Sequence, residues 1–162
     1  MSFESLQVGD TVSFDYQIIP TGSRGVNKLP ENMGGIVSRV NKITIDVEME
    51  DGSDAGHNVY IDFDYAARSS RKETRGRYLN LVRHPLLSEI STGDRVSFVE
   101  NDSSYTGTVG YLGGSSVMPV TKDNGEQAII YEGNFLKQRV RKIAAVGGGG
   151  TYKYMLEQKL KF

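Results

Sequence analysis

The chain has no cysteine, no tryptophan and only 4 prolines among its 162 residues. Without cysteine there is no disulfide scaffold, no thiolate zinc site and no thiol nucleophile. The longest apolar runs are four or five residues. A membrane-spanning helix needs about 20. The opening Met1-Ser2-Phe3-Glu4 has neither the basic start nor the apolar stretch of a secretory signal. A cytoplasmic protein with no membrane partner is therefore expected. An excess of one charge is also missing: 19 Lys+Arg face 20 Asp+Glu, a net charge of −1. That balance excludes a uniformly basic nucleic-acid binder but not one whose charges are segregated. Hydrophobic residues make up 38% of the chain, below the usual share for one large compact domain.

Charge is in fact segregated. Residues 1–65 hold four basic and eleven acidic residues. Residues 66–84 hold Arg68, Arg71, Lys72, Arg75, Arg77 and Arg83 against Glu73 alone. Residues 85–162 hold nine basic and eight acidic residues, with Lys137, Arg139, Arg141 and Lys142 clustered. Charges further apart than about 8–10 Å are largely screened at cellular salt, so local clusters set the surface field.

The chain also repeats itself. Val8-Gly9-Asp10-Thr11-Val12-Ser13-Phe14 matches Thr92-Gly93-Asp94-Arg95-Val96-Ser97-Phe98. Each copy is followed by a glycine, Gly35 or Gly107, read as a turn into an apolar strand over 35–40 or 107–112. A strand ending in Asp51-Gly52 or Asp123-Asn124-Gly125 comes next, then strands over 58–64 and 127–131. Each half closes on a last strand, over 78–82 or 135–140. Apolar residues recur at period two: Ile43, Ile45, Val47 and Met49 alternate with Thr44, Asp46, Glu48 and Glu50. Such alternation marks antiparallel strands with one buried and one solvated face. Five short strands per half predict an all-β protein of two small tandem β-barrels, 1–84 and 85–162. The tail after Gly147 to Gly150 reads as an amphipathic strand, returning to the second barrel or bridging the two, or as a short helix.

The Gly-Asp-x-Val strand followed by a Gly-x-Val strand resembles the KOW/SH3-like barrels of transcription and translation factors. The carrying residues are Gly9, Asp10, Val12, Gly35 and Val37, with Gly93, Asp94, Val96, Gly107 and Val109 in the second copy. The first copy departs from the pattern by a long polar insert over 17–33. Length, opening residues and tandem halves are similar, more narrowly, to the modifier-of-transcription proteins of T-even bacteriophages. That resemblance implies a small early phage protein. It would bind DNA with little sequence preference, and alter host transcription or nucleoid organisation in the host cytoplasm or nucleoid.

The residues suggest the same kind of ligand. Arg68, Arg71, Lys72, Arg75 and Arg77 lie among Ser, Thr and Gly. Guanidinium forks and hydroxyls suit phosphate oxygens, and glycine lets backbone approach. At strand spacing, Lys137, Arg139 and Arg141 would project from one face, with Lys142 at its end. Both clusters are candidate contacts to double-stranded DNA. A solvated basic loop and an ordinary exposed strand are the bland alternatives. Tyr16, Tyr60, Tyr65, Tyr78, Tyr105, Tyr111 and Tyr131 are candidates for stacking on bases or for core and rim packing. Asp46, Glu48, Glu50, Asp62 and Asp64 would share a solvent face that repels DNA and suits a basic partner protein. The sequence carries no phosphate-binding loop, no nucleophile elbow and no zinc-protease motif. His57 and His84 are isolated in sequence. No enzyme activity, cofactor or metal is expected. The rival reading is an interaction module that binds a transcription or translation component through barrel loops or the acidic face.

Overall fold

A computed structural model describes residues 5–18, 30–62, 68–69, 76–145 and 148–149. The tail expected over 151–162 lies outside these residues. The protein is all-β and divides into two compact units, one within 1–83 and one within 84–153. No helix among the described residues is long and apolar enough to cross a membrane.

The first unit contains β1 (Thr11–Ile18), β2 (Glu31–Val40), β3 (Thr44–Met49), β4 (Asn58–Asp62), β5 (Arg68–Ser69) and β6 (Gly76–Arg83). They form one antiparallel sheet in the order β5-β4-β3-β2-β1-β6. The second unit contains β7 (Arg95–Glu100), β8 (Ser103–Val109), β9 (Val117–Lys122), β10 (Gln127–Tyr131), β11 (Arg141–Ala145) and β12 (Gly148–Gly149). Its order is β10-β9-β8-β7-β11-β12. Each unit is thus a meander, β1 to β5 or β7 to β10, with a later strand, β6 or β11, that returns to pair with its first, β1 or β7.

Alternation places the core. In β3, Ile45, Val47 and Met49 are buried while Glu48 between them is exposed. Val12, Phe14, Met33, Val37, Val59, Ile61, Tyr78 and Leu81 complete the first core. The second holds Val96, Phe98, Val109, Met118, Val120, Ile130, Phe135 and Val140. Burying each such side chain contributes roughly 1.5–3 kcal/mol. The only helical elements described are single 3-10 turns, Leu87–Glu89 and Glu132–Asn134. A sheet with one face open would leave its apolar side chains in water. Yet Val96, Met118, Val120, Ile130 and Val140 are 0% exposed. The inner face of the second sheet is therefore covered. Among the described residues no hydrogen-bonded ladder closes either sheet into a barrel.

Two sequence expectations need correction. First, Gly35 and Gly107 are not turns; they sit inside β2 and β8. A Cβ on Gly107 would lie 2.5 Å from Val120 Cγ1 and 2.6 Å from the Thr121 carbonyl oxygen. A Cβ on Gly35 would meet Val47 and the Glu48 carbonyl in the same way. Glycine is required there by the close approach of the next strand. Second, residues 135–140 are not a strand. Gln138 N–H donates to Asn134 O (2.8 Å), Arg139 N–H to Leu136 O (2.9 Å) and Val140 N–H to Phe135 O (2.9 Å). This is a compact turn, and the strand begins only at Arg141. Phe135 and Val140 are the residues it buries, five apart rather than two.

The repeat survives that difference. Val12 is opposite Arg83 and Val96 is opposite Lys142. Asp15 is opposite Leu79, while Val99 N–H donates to Gln138 O at 2.7 Å. Asn80 and Arg139 therefore hold matching positions, and both are left-handed, with φ of 57° and 50°.

Candidate polyanion-binding surfaces

The shared Gly-Asp signature builds a corner in each unit. Gly9 and Gly93 have φ of 96° and 93°, a region glycine adopts without penalty. Gly9 N–H donates to Val37 O and Gly93 N–H to Val109 O, both at 2.8 Å. Val37 N–H and Val109 N–H return to Asp10 O and Asp94 O, both at 2.9 Å. Each aspartate side chain accepts from the backbone three residues earlier: Gln7 N–H to Asp10 at 2.8 Å, Ser91 N–H to Asp94 at 2.7 Å. A cation from the last strand then meets it. Arg83 Nε lies 3.3 Å from Asp10, and Lys142 Nζ lies 3.3 Å from Asp94. Lys142 also donates to the Glu89 carbonyl at 3.0 Å.

This geometry corrects the second basic cluster. The Lys142 side chain is 13% exposed and its Asp94 partner 1%, so this charge is paired within the corner. Arg139 sits in the turn, and its guanidinium donates to Leu136 O at 2.8 Å. Arg141 is half-buried at the start of β11, opposite Ser97. Lys137 alone of the four is exposed. Lys137, Arg139 and Arg141 do not share a strand face, because the strand spacing that would align them does not exist before residue 141.

In the first cluster, Arg68 lies in β5 opposite Tyr60, and Arg77 lies in β6 opposite Gln17. Arg71, Lys72 and Arg75 lie outside the described residues. The stretch is thus held at both ends by strand pairing, β5 to β4 and β6 to β1.

The tyrosines separate into two groups. Tyr16 and Tyr78 are core residues, 6% and 0% exposed, and cannot receive a base. Phe14 meets the Tyr78 ring edge-on at 5.0 Å. Tyr105 stacks on Phe98 at 5.8 Å and lies under Lys122 Nζ, 4.0 Å from the ring centre. Tyr60 is half-buried, while Tyr111 and Tyr131 are exposed. Tyr65 lies outside the described residues.

The expected acidic face is only partly described. Glu48 and Glu50 are exposed and Asp46 is half-buried. Arg39 stands opposite Asp46 on β2, which offsets part of the acidic charge. Asp62 pairs with Thr44 through the backbone, and Asp64 lies outside the described residues. Among the described residues no group of three or more acidic or imidazole side chains could hold a metal ion.

Two charged assemblies were not legible beforehand. Lys122 is 5% exposed and binds Glu100 at 2.9 Å, with Glu126 at 3.5 Å. Its pKa is raised, first by the hydrogen bond to Glu100. Arg95 grips Asp123 with two bonds, 2.6 and 2.7 Å, and the Thr106 hydroxyl donates to the same carboxylate. These bonds, the Arg95 pair first and then Thr106, hold the Asp123 carboxyl well below the usual carboxylate range. A depressed native pKa stabilises the fold above the unfolded value, about pH 4, and the gain fades as pH falls from there. Asp123→Asn should therefore lower the melting temperature at pH 6, and the gap to the native protein should narrow towards pH 2. A gap that stays constant over that range would contradict this linkage. Solvent around the half-exposed pair keeps the effect modest.

No protein-family model, curated protein or solved structure matches this chain.

Proposed function

We propose that the protein is a non-enzymatic DNA-binding protein that contacts duplex phosphates with little sequence preference. The reading rests on one observation. The densest run of cations, Arg68 to Arg77, holds five basic residues against Glu73 and is anchored at both ends by β5 and β6. Phosphate contacts of this kind supply affinity but no sequence information. In the second unit Lys137 is the exposed member of the cluster, while Lys142 and Arg139 have internal partners. The strand order of each unit, a meander closed by a strand returning to the first, is compatible with an SH3/KOW-like module. The similarity to MotB, the modifier-of-transcription protein of T-even bacteriophages, supplies the host-transcription or nucleoid setting.

A mobility-shift titration on duplex DNA tests the proposal. Binding is expected at low salt, with affinity falling log-linearly as salt rises. Changing Arg71, Lys72 and Arg75 together to Ala should weaken binding at least about tenfold and reduce the salt slope by about 3. An unchanged shift in the triple variant would remove these residues from the site. Absence of any shift at low salt would sink the DNA reading itself.

A further inference from the structure

We propose that the edge of the second sheet that no described strand covers, strand β10, is a docking site for an extended protein segment with basic ends, which adds antiparallel as a further strand.

Strand β10 is the terminal strand of its sheet. The direction of its backbone groups follows from its neighbours. Lys122 N–H donates to Glu126 O at 2.8 Å, and Glu132 N–H donates to Ser116 O at 2.9 Å. Residues 126 and 132 thus bond towards β9, as 128 and 130 do by alternation. Pro119, opposite Ile129, gives its carbonyl to Gly110 N–H at 2.8 Å, on the side away from β10. Gln127, Ile129 and Tyr131 therefore turn their N–H and C=O groups outward, away from the sheet. Their side chains are also exposed, Ile129 by 63% and Tyr131 by 58%.

Edges of this kind are usually blunted by charge, proline or a bulge. Strand β10 reads Gln-Ala-Ile-Ile-Tyr and has none of these. The first unit shows what the equivalent edge receives. By register, Asn58, Tyr60 and Asp62 of β4 match Gln127, Ile129 and Tyr131 of β10. There β5 covers the edge antiparallel, with Arg68 opposite Tyr60. In the second unit the chain turns away directly after Tyr131 into the 3-10 turn, and nothing described pairs with β10.

Charge selects the occupant. Glu126 and Glu132 bracket the strand; Glu126 lies 3.5 Å from Lys122 Nζ with its side chain 68% exposed, and Glu132 accepts from Leu87 N–H at 2.7 Å. Two copies of β10 paired about a two-fold axis at Ile129 would set Glu126 of each against Glu132 of the other. Like charges at both ends disfavour self-pairing. A segment with an apolar centre and Arg or Lys at its ends meets both carboxylates and lays its apolar side chains beside Ile129 and Tyr131. This is strand addition: backbone bonds supply affinity, and alternate side chains with charged ends supply selectivity.

The probe is the synthetic peptide Arg-Val-Thr-Val-Thr-Val-Arg, capped at both ends, added to the full chain. Fluorescence anisotropy reads binding, and amide hydrogen exchange reads location. The peptide should bind and slow exchange at Gln127, Ile129 and Tyr131 about tenfold or more, with Ala128 and Ile130 already protected by β9. The same peptide with Glu at both ends should bind at least about tenfold more weakly. Ile129→Pro removes one outward donor without touching the β9 ladder, and should abolish binding with an unchanged melting curve. If that variant unfolds, Ile129→Lys keeps the donor, repels the basic ends and should weaken binding instead. Lack of binding, or protection elsewhere, overturns the proposal. So does protection of those three amides in the free protein, alone or in a concentration-dependent dimer, since the edge would then be taken by the chain itself or by a second copy.

Discussion

Replacing Lys142 with Met is expected to destabilise the second unit by about 3 kcal/mol or more. The change removes the cation 3.3 Å from the Asp94 carboxylate, whose side chain is 1% exposed. A buried carboxylate deprived of its partner carries its full desolvation cost, and the bond from Ser91 N–H at 2.7 Å offsets only part of it. Methionine keeps most of the stem volume, so the loss reports the charge rather than a cavity. Urea unfolding followed by circular dichroism gives the value. The matching change in the first unit, Arg83→Met, should cost less, about 1–2 kcal/mol, because Asp10 and Arg83 are 12% and 15% exposed. A Lys142 variant as stable as the native protein would show that the corner does not depend on its ion pair. The same variant bears on DNA binding. If it folds at low temperature and keeps its salt-dependent shift, Lys142 is not a phosphate contact, in keeping with its burial.

Gly107→Ala should cost about 2–4 kcal/mol, or prevent folding of the second unit. The added methyl would sit 2.5 Å from Val120 Cγ1, 2.6 Å from the Thr121 carbonyl oxygen and 3.1 Å from Lys122 Cα. Two of these three atoms are backbone of β9, so relief requires moving the strand. That in turn strains the ladder of Gly107, Thr108 and Val109 with Lys122, Thr121 and Val120. Gly133→Ala is the control: a Cβ there meets nothing within 4 Å, and stability should change by less than about 0.5 kcal/mol. Thermal unfolding of the two variants side by side decides it. Equal melting temperatures would mean that the strands can separate at Gly107 without loss.

These two cases show how legible the molecule was. Period-two alternation located β3, β4, β9 and β10 because each has one face in the core and one in water. It failed at 135–140 because a left-handed Arg139 lets a turn bury Phe135 and Val140 together. Alternation along a chain tests neighbours two apart and is blind to a pair five apart. Gly35 and Gly107 were visible as repeated glycines, but a glycine needed for a turn and one needed for close approach look alike in sequence. The distinction lies in Val47 and Val120, each 12 or 13 residues away on the next strand.

The candidate sites divide along the same line. Clustering of Arg68, Arg71, Lys72, Arg75 and Arg77 is a property of sequence, and the DNA reading rests on it. The fate of Lys142 is not. Its partner Asp94 is 48 positions earlier and reaches it only because β11 returns to pair with β7. Tyr16 and Tyr78 likewise became core when β1 met β6.

By itself the sequence determined the all-β class, the duplication and the segregation of charge, since each follows from residue type and spacing along one chain. Only the tertiary structure decided which cations are paired inside the fold, which glycines are irreplaceable and which strand edge no described strand covers. Those depend on what the folded chain places opposite each residue, and the partners come from strands distant in sequence.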